Sequence, residues 1–151
     1  MADSTHQSQE IRDKAKEFVF PSAFTYYEEP LVIEKGQGAT LIDADGREYL
    51  DFFGGILTVG VGHCHPEVVR RTAEQSAKLQ HTSSLYLTEP YIHLAEKLAQ
   101  ITPGRLQKSF FTNSGSEANE TAVLAARSHT GNHEVVALRS GYSGRTGVAM
   151  S

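Results

Sequence analysis

A chain of 151 residues with 39% hydrophobic content is long enough to form one domain with its own core. Its 14 Lys and Arg against 18 Asp and Glu leave a net charge of −4 with no basic stripe, which argues against a nucleic-acid partner. One cysteine excludes an internal disulfide and fits a reducing compartment, read here as the cytoplasm; Met1 to Glu10 are polar with no apolar signal core, and no run of about 18 apolar residues offers a membrane span.

The first ten or so residues read as a mobile tail, and Ile11, Ala15 and Phe18 at helical spacing suggest a short amphipathic arm. Leu31 to Glu34 and Ala39 to Asp43 read as strands joined at Lys35-Gly36-Gln37-Gly38. The Asp45-Gly46 turn then leads to a third strand, Arg47 to Phe52, in a small antiparallel meander. Gly54 to Gly62 holds four glycines interleaved with Ile56, Leu57, Val59 and Val61, a stretch suited to unusual backbone angles rather than to a linker. Pro66 suits the first turn of a helix running to about Gln80. Thr88 could cap another over 89–101, which has Leu94, Leu98 and Ile101 on one side and is stopped by Pro103-Gly104. Strand 106–112, helix 116–128 and strand 134–138 follow as a right-handed β-α-β unit with parallel strands.

Function concentrates where the first strand of that unit meets the helix, at Thr112-Asn113-Ser114-Gly115-Ser116-Glu117. Amides at a helix start lack intrahelical partners, and the aligned peptide dipoles add about half a positive charge there. A dianionic phosphate fits such a seat; Gly115 admits it without a Cβ, and Ser114 and Ser116 add hydroxyls. The same residues also read as a plain capping box, Ser114-x-x-Glu117. Downstream, Gly141-Tyr142-Ser143-Gly144-Arg145 lies beyond the second strand, where ligands gather in open α/β sheets. His63-Cys64-His65 carries zinc-type ligands, but adjacent residues rarely converge on one ion and no second cluster completes a tetrahedron, so it reads as a turn and helix start.

Four separated motifs, Asp43-Ala44-Asp45-Gly46-Arg47-Glu48-Tyr49-Leu50-Asp51-Phe52, Gly54-Gly55-Ile56 through Gly62-His63-Cys64-His65-Pro66, Phe110 through Glu120, and Ser140 through Thr146, stand in an order that resembles the class III aminotransferases. These are pyridoxal-phosphate enzymes of fold type I. The resemblance runs from about residue 18 to the last residue, and the Tyr-Ser-Gly-Arg wording is most similar to the alanine–glyoxylate aminotransferase-like branch. It implies an α/β fold, the N-terminal portion of a fold type I transferase, with a small antiparallel meander followed by the start of a mixed, largely parallel sheet. Residues 1–17 would be an arm, 18–59 the N-terminal segment of the small domain, and 60–151 the incomplete start of the cofactor-binding large domain.

The cofactor implied is pyridoxal 5′-phosphate, with Ser114, Gly115 and Ser116 at its phosphate and Tyr142 stacked on its ring; Ser143 stands where many members carry histidine. By the same resemblance Arg145 forks onto a substrate carboxylate, and Ile56 lines the substrate side with the Gly54-Gly55 backbone. The bland readings are a half-buried loop tyrosine, a surface or capping arginine and a core isoleucine. The implied reaction moves an amino group from an amino donor to a 2-oxo acid or glyoxylate in a homodimer, with the loop from His81 to Tyr86 reaching the partner's site. The family's Schiff-base lysine and the aspartate on the ring nitrogen lie downstream of residue 151, and none of Lys14, Lys16, Lys35, Lys78, Lys97 and Lys108 sits in a matching context. The chain alone is therefore expected to be inactive. An aminomutase or decarboxylase of the same fold, a non-catalytic anion- or partner-binding fragment, and a separate phosphate-binding domain remain as alternatives.

Overall fold

The computed structural model describes residues 4–23 and 25–150, with side chains from Ser8 onward. Its elements are α1 (Ser4–Phe18), β1 (Ile33–Gln37), β2 (Thr40–Asp43), β3 (Glu48–Leu50), a single turn α2 (Gly54–Leu57), α3 (Pro66–Lys78), α4 (Glu89–Ile101) and α5 (Gly115–Thr130). They fall into two compact units that divide between Thr82 and Ser83.

The first unit is built on an antiparallel sheet of order β1-β2-β3. The β1–β2 hairpin pairs Gln37 with Thr40, which leaves only Gly38 and Ala39 in the turn, tighter than the sequence reading. Gly38 makes this possible by taking φ 57°, a value that costs glycine little. The β2–β3 turn is organised by Asp43, whose side chain is almost fully buried at 3% exposure. One of its oxygens accepts from the amides of Asp45 (3.0 Å) and Arg47 (2.8 Å), and the other from the Tyr49 hydroxyl (2.8 Å). Helix α1 starts at Ser4, earlier than the arm expected from Ile11. It is tied to this turn by the buried Ser8, whose hydroxyl donates to Asp45 at 2.8 Å, and to the chain before β1 by Arg12, which donates to the Pro30 carbonyl at 3.0 Å.

After β3 the backbone turns over in an unusual way. Gly54, Gly55, Ile56 and Leu57 take φ of 55°, 59°, 61° and 62°, so α2 is one turn of left-handed helix. Two glycines accept that hand readily, whereas each L-residue in it costs roughly 1–2 kcal/mol and a β-branched one is a true outlier. Helix α3 then opens with Pro66 at its first turn, as the sequence predicts, and ends at Lys78 rather than Gln80. Glu67 on its first turn accepts from Arg70 and Arg71, which holds the Glu67 carboxyl down to about 2.

The second unit contains α4 and α5. Thr88 occupies the N-cap of α4 with extended dihedrals, but its side chain makes no capping bond, so the expected cap is positional only. Tyr91 of α4 meets Phe111 edge-on, with ring centroids 5.2 Å apart, and so pins the segment leading to α5. Helix α5 ends where Gly131 takes φ 71° and returns its amide to the Arg127 carbonyl at 2.9 Å, a left-handed C-terminal cap. The strands expected at 106–112 and 134–138 are not formed: neither segment carries a ladder, and Phe110, Val136 and Leu138 are 78%, 99% and 88% exposed. A strand exists only through the backbone of a neighbour, and these two segments do not bond one another, so apolar content alone does not make them strands.

Burial pushes the Asp43 carboxyl up, but the bonds from the Arg47 amide, the Tyr49 hydroxyl and the Asp45 amide, together with the Arg47 charge, outweigh it and leave the group below the ordinary aspartate range. The folded carboxyl therefore titrates below its unfolded value of about 3.9. Its stabilisation of the turn is complete above that value and disappears as pH falls through the depressed folded one. Amide exchange at Asp45 and Arg47, followed from pH 6 downward and corrected for intrinsic rates, should stay protected to about pH 4 and then open; opening at pH 5 or above would contradict this account.

Candidate functional site

Ser114 sits at the N-cap of α5 in extended conformation, and its hydroxyl accepts from the Glu117 amide at 3.2 Å. The Glu117 carboxylate reaches back one residue further than in the usual capping box and accepts from the Asn113 amide at 2.7 Å. The first intrahelical bond runs from the Ala118 amide to the Ser114 carbonyl. Among the described residues the amides of Gly115 and Ser116 thus have no protein acceptor, at the positive end of a helix of 16 residues. A Cβ built on Gly115 would meet no heavy atom within 4 Å, so no neighbouring side chain packs against this residue.

The loop carrying Tyr142, Ser143 and Arg145 is tied to the same helix start. The Ser116 hydroxyl oxygen accepts from the Arg145 amide at 3.1 Å, and the Asn119 side-chain amide donates to the Ser143 carbonyl. Glu120 accepts from the Val148 amide at 2.9 Å. Residues 116, 119 and 120 lie on one helical face, so one side of α5 grips the loop from Ser143 to Val148. The Thr146 hydroxyl, near the carboxylate though short of a well-formed bond, and the Val148 amide hold the Glu120 carboxyl below the ordinary glutamate range. Gly144 is required by the closeness of the approach: a Cβ there would lie 2.5 Å from the Ser116 hydroxyl oxygen and 2.9 Å from the Ala149 methyl. Ala149 is itself buried beneath the loop.

Held in this way, the Tyr142 ring is 79% exposed and the Arg145 side chain is exposed, with no ion pair among the described residues. The structure therefore brings Ser114, Gly115, Ser116, Ser143 and Arg145 together around the α5 start, with Tyr142 on the adjoining backbone. Ile56 belongs to the other unit, at the centre of the left-handed turn, and is 71% exposed. Of the His63-Cys64-His65 run, His63 is engaged by Asp51, its Nε2 lying 2.6 Å from a carboxylate oxygen. His65 is the N-cap of α3 without a side-chain bond, and Cys64 is exposed at φ 52°. Sequence reasoning missed Asn119, Glu120 and Asp51. The first two carried a readable signal, their i+3 and i+4 spacing from Ser116, but their partners stand more than 20 residues away.

Residues 23–151 match the Aminotransferase class-III family. The chain is 46% identical over 140 residues to the alanine–glyoxylate aminotransferase 2 homolog 2, mitochondrial, of Arabidopsis thaliana, an alignment covering 93% of this chain and 29% of that protein. Among solved structures it is similar to a phospholyase from Arthrobacter in complex with phosphoethanolamine, with TM-score 0.84, 34% identity, and 93% of this chain against 32% of that one. An omega-transaminase from Sphaerobacter thermophilus gives TM-score 0.83 and 32% identity, with 94% of this chain matching 33% of that one. The chain thus spans 29–33% of the length of these relatives. Among the described residues, no helix is long and apolar enough to cross a membrane.

Removing the Ser114 hydroxyl leaves the Glu117 amide without its acceptor. Ser114→Ala should lower the stability of the α5 unit by about 1 kcal/mol. Urea unfolding followed by helical circular dichroism measures this, and an unchanged midpoint would show that the cap carries no energy.

Proposed function

The chain belongs to the class III aminotransferases, and on that premise we propose that the protein carrying it is a pyridoxal-phosphate-dependent aminotransferase that passes an amino group from an amino donor to glyoxylate or a 2-oxo acid. Its fold is the N-terminal portion of a fold type I transferase. In this reading residues 18–59 begin the small domain and 60–151 begin the large, cofactor-binding one. The observation that carries the proposal is the pair of amides at Gly115 and Ser116, without protein acceptors among the described residues and bordered by the Tyr142–Arg145 loop.

Those residues fit a phosphorylated pyridine. The two amides and the helix dipole would hold the phosphate. Because the Ser116 oxygen already accepts from the Arg145 amide, its hydroxyl proton is left to donate. The Ser114 hydroxyl oxygen likewise accepts, from the Glu117 amide, so Ser114 keeps the helix start in shape and its hydroxyl proton too is left to donate. Tyr142 offers an exposed ring face to a pyridine, a contact worth about 0.5–1.5 kcal/mol beyond burial. Ser143 contributes its carbonyl to the loop anchor and brings no second ring to the site. Pyridoxal 5′-phosphate, when bound, supplies an aldehyde that takes up the donor's amino group and a protonated ring that draws electrons from the donor's α carbon. Arg145, without a carboxylate partner among the described residues, would orient a substrate carboxylate by a two-point fork. Ile56 limits the substrate's side chain.

A homodimer is the assembly proposed, on the family resemblance and the exposed Leu85-Tyr86-Leu87 run after the Ser83 turn. The lone Cys64 supports a reducing compartment, the cytoplasm in the first instance, although the Arabidopsis relative is named mitochondrial. Elimination of phosphate from a phosphorylated amine is the second reading, favoured by the likeness to the Arthrobacter phospholyase. Assaying alanine with glyoxylate against phosphoethanolamine separates the two.

The phosphate seat is tested by titrating the protein with pyridoxal phosphate and with pyridoxal. The phosphate should improve affinity at least tenfold, and Gly115→Leu should erase most of that difference by placing a bulky side chain at the helix start, whereas Gln100→Leu should not. Equal affinity for the two compounds in the unaltered protein would remove the assignment.

A further inference from the structure

The left-handed turn Gly54–Leu57 needs an explanation, because Ile56 and Leu57 take a backbone hand that their side chains oppose. Such conformations persist only where their surroundings over-determine them. Here the surroundings converge on one carboxylate. One oxygen of Asp51 accepts from the amides of Phe53 and Gly54, both at 2.9 Å, at the entry to the turn. The other oxygen meets His63 Nε2 at 2.6 Å, 12 residues later, at the exit of the glycine-rich segment. With Asp51 ionised, the imidazole donates this bond.

His63 is a fixed post. Its backbone exchanges two hydrogen bonds with Gly38 at the β1–β2 turn, of 2.8 and 2.9 Å. A Cβ on Gly36 would lie 2.9 Å from both Cβ and Cγ of His63, so glycine at 36 leaves the room that the side chain fills. Gly62, at φ 92°, lets the chain pass Gly38, where a Cβ would lie 3.0 Å from the Gly38 Cα. Inside the segment, Thr58 donates its hydroxyl to the Gly55 carbonyl at 2.7 Å, and the amides of Thr58 and Val59 both return to the Gly54 carbonyl. The imidazole and then the Gly54 and Phe53 amides hold the Asp51 carboxyl below the ordinary aspartate range, in keeping with an ionised clamp.

We propose that Asp51 and His63 are positioning residues that clamp the left-handed turn Gly54–Leu57 against the β1–β2 hairpin and thereby fix where Ile56 stands. The consequence for substrate selection rests on the reading of Ile56 as a substrate-side residue; the clamp itself stands on this geometry. The hand of the turn makes the idea testable in a way that ordinary structural support is not. If the clamp exists to hold strained residues, relieving the strain should make the clamp dispensable. Leu57→Gly relieves part of it without touching Ile56, which keeps its own.

The experiment compares hydrogen exchange at the amides of residues 53–59 in the unaltered chain and in Asp51→Ala, His63→Ala, His63→Gln, Leu57→Gly and the Asp51→Ala/Leu57→Gly pair, with the amides of α3 as a folding control. Asp51→Ala should lose about tenfold or more in protection across 53–59 while α3 stays within about threefold. His63→Ala should lose less, because the Phe53 and Gly54 bonds survive, and His63→Gln should recover part of the loss by donating its amide to Asp51. The double variant should regain part of the protection, a non-additivity that a merely structural carboxylate would not produce. In the active protein, Asp51→Ala should raise KM for the amino donor with the affinity for pyridoxal phosphate unchanged. Undiminished protection in Asp51→Ala, or simple additivity of Asp51→Ala and Leu57→Gly, overturns the clamp. Should Asp51→Ala disturb α3 as well, His63→Ala set against His63→Gln decides: equal protection in those two variants overturns the proposal, and a difference between them supports it. Failure of the cofactor reading would appear instead in the pyridoxal-phosphate titration and leave the exchange pattern intact.

Discussion

Backbone amides that no ladder or helix serves need other acceptors, and at four places in this chain acidic side chains supply them. Asp43 gathers the amides of Asp45 and Arg47, Asp51 those of Phe53 and Gly54, Glu117 that of Asn113, and Glu120 that of Val148. Asp43, Asp51 and Glu117 stand where the chain changes direction, while Glu120 reaches from within α5 to the loop; the last three bear on candidate functional elements. Asp43, Asp51 and Glu120 are all held below their ordinary range, as expected of acids that accept several hydrogen bonds in the folded state. The electrostatics of the chain are thus mainly local, spent on loop geometry rather than on a field over the surface.

Within the second unit this arrangement couples two tasks in one helix. The first turn of α5 leaves the Gly115 and Ser116 amides open, while Ser116, Asn119 and Glu120 hold the Ser143–Val148 loop beside them. An anion seated on the amides and a carboxylate held by Arg145 would therefore be referred to the same rigid element. Rigid support of this kind is what a site needs when geometry, more than reactivity, is the protein's contribution. Gly144 shows how closely the loop is drawn in, since even a methyl group there would collide with Ser116.

In the first unit the glycine-rich segment serves a different end. It lets the chain pass Gly38 at Gly62 and wind once in the left-handed sense at the Gly54-Gly55 pair, while Gly36 of β1 makes room for the His63 side chain. Ile56 and Leu57 then follow in a hand they would not choose. Imidazole, thiol and imidazole in succession suggest a metal site on paper, yet His63 is committed to Asp51 and His65 to the start of α3.

Much of this was legible in the sequence where the controlling physics is local. Pro66 at the α3 start, the Ser114 cap of α5, the Asp45-Gly46 turn and the three-strand meander all follow from residue types acting within a few positions of themselves. Ser114, Gly115 and Ser116 could be singled out for the same reason, because the open amides of a helix start are a property of the helix alone. Tertiary structure decided the rest. Segments 106–112 and 134–138 are apolar enough for strands, but a strand is a relation between two backbones and neither finds one in the other. The grip of Asn119 and Glu120 on the loop spans 24 and 28 residues, and the Asp51–His63 contact spans 12, distances at which spacing says nothing. The left-handed hand of Ile56 and Leu57 runs against their intrinsic preference, so propensity points away from it, and only the contacts that close around the turn can impose it.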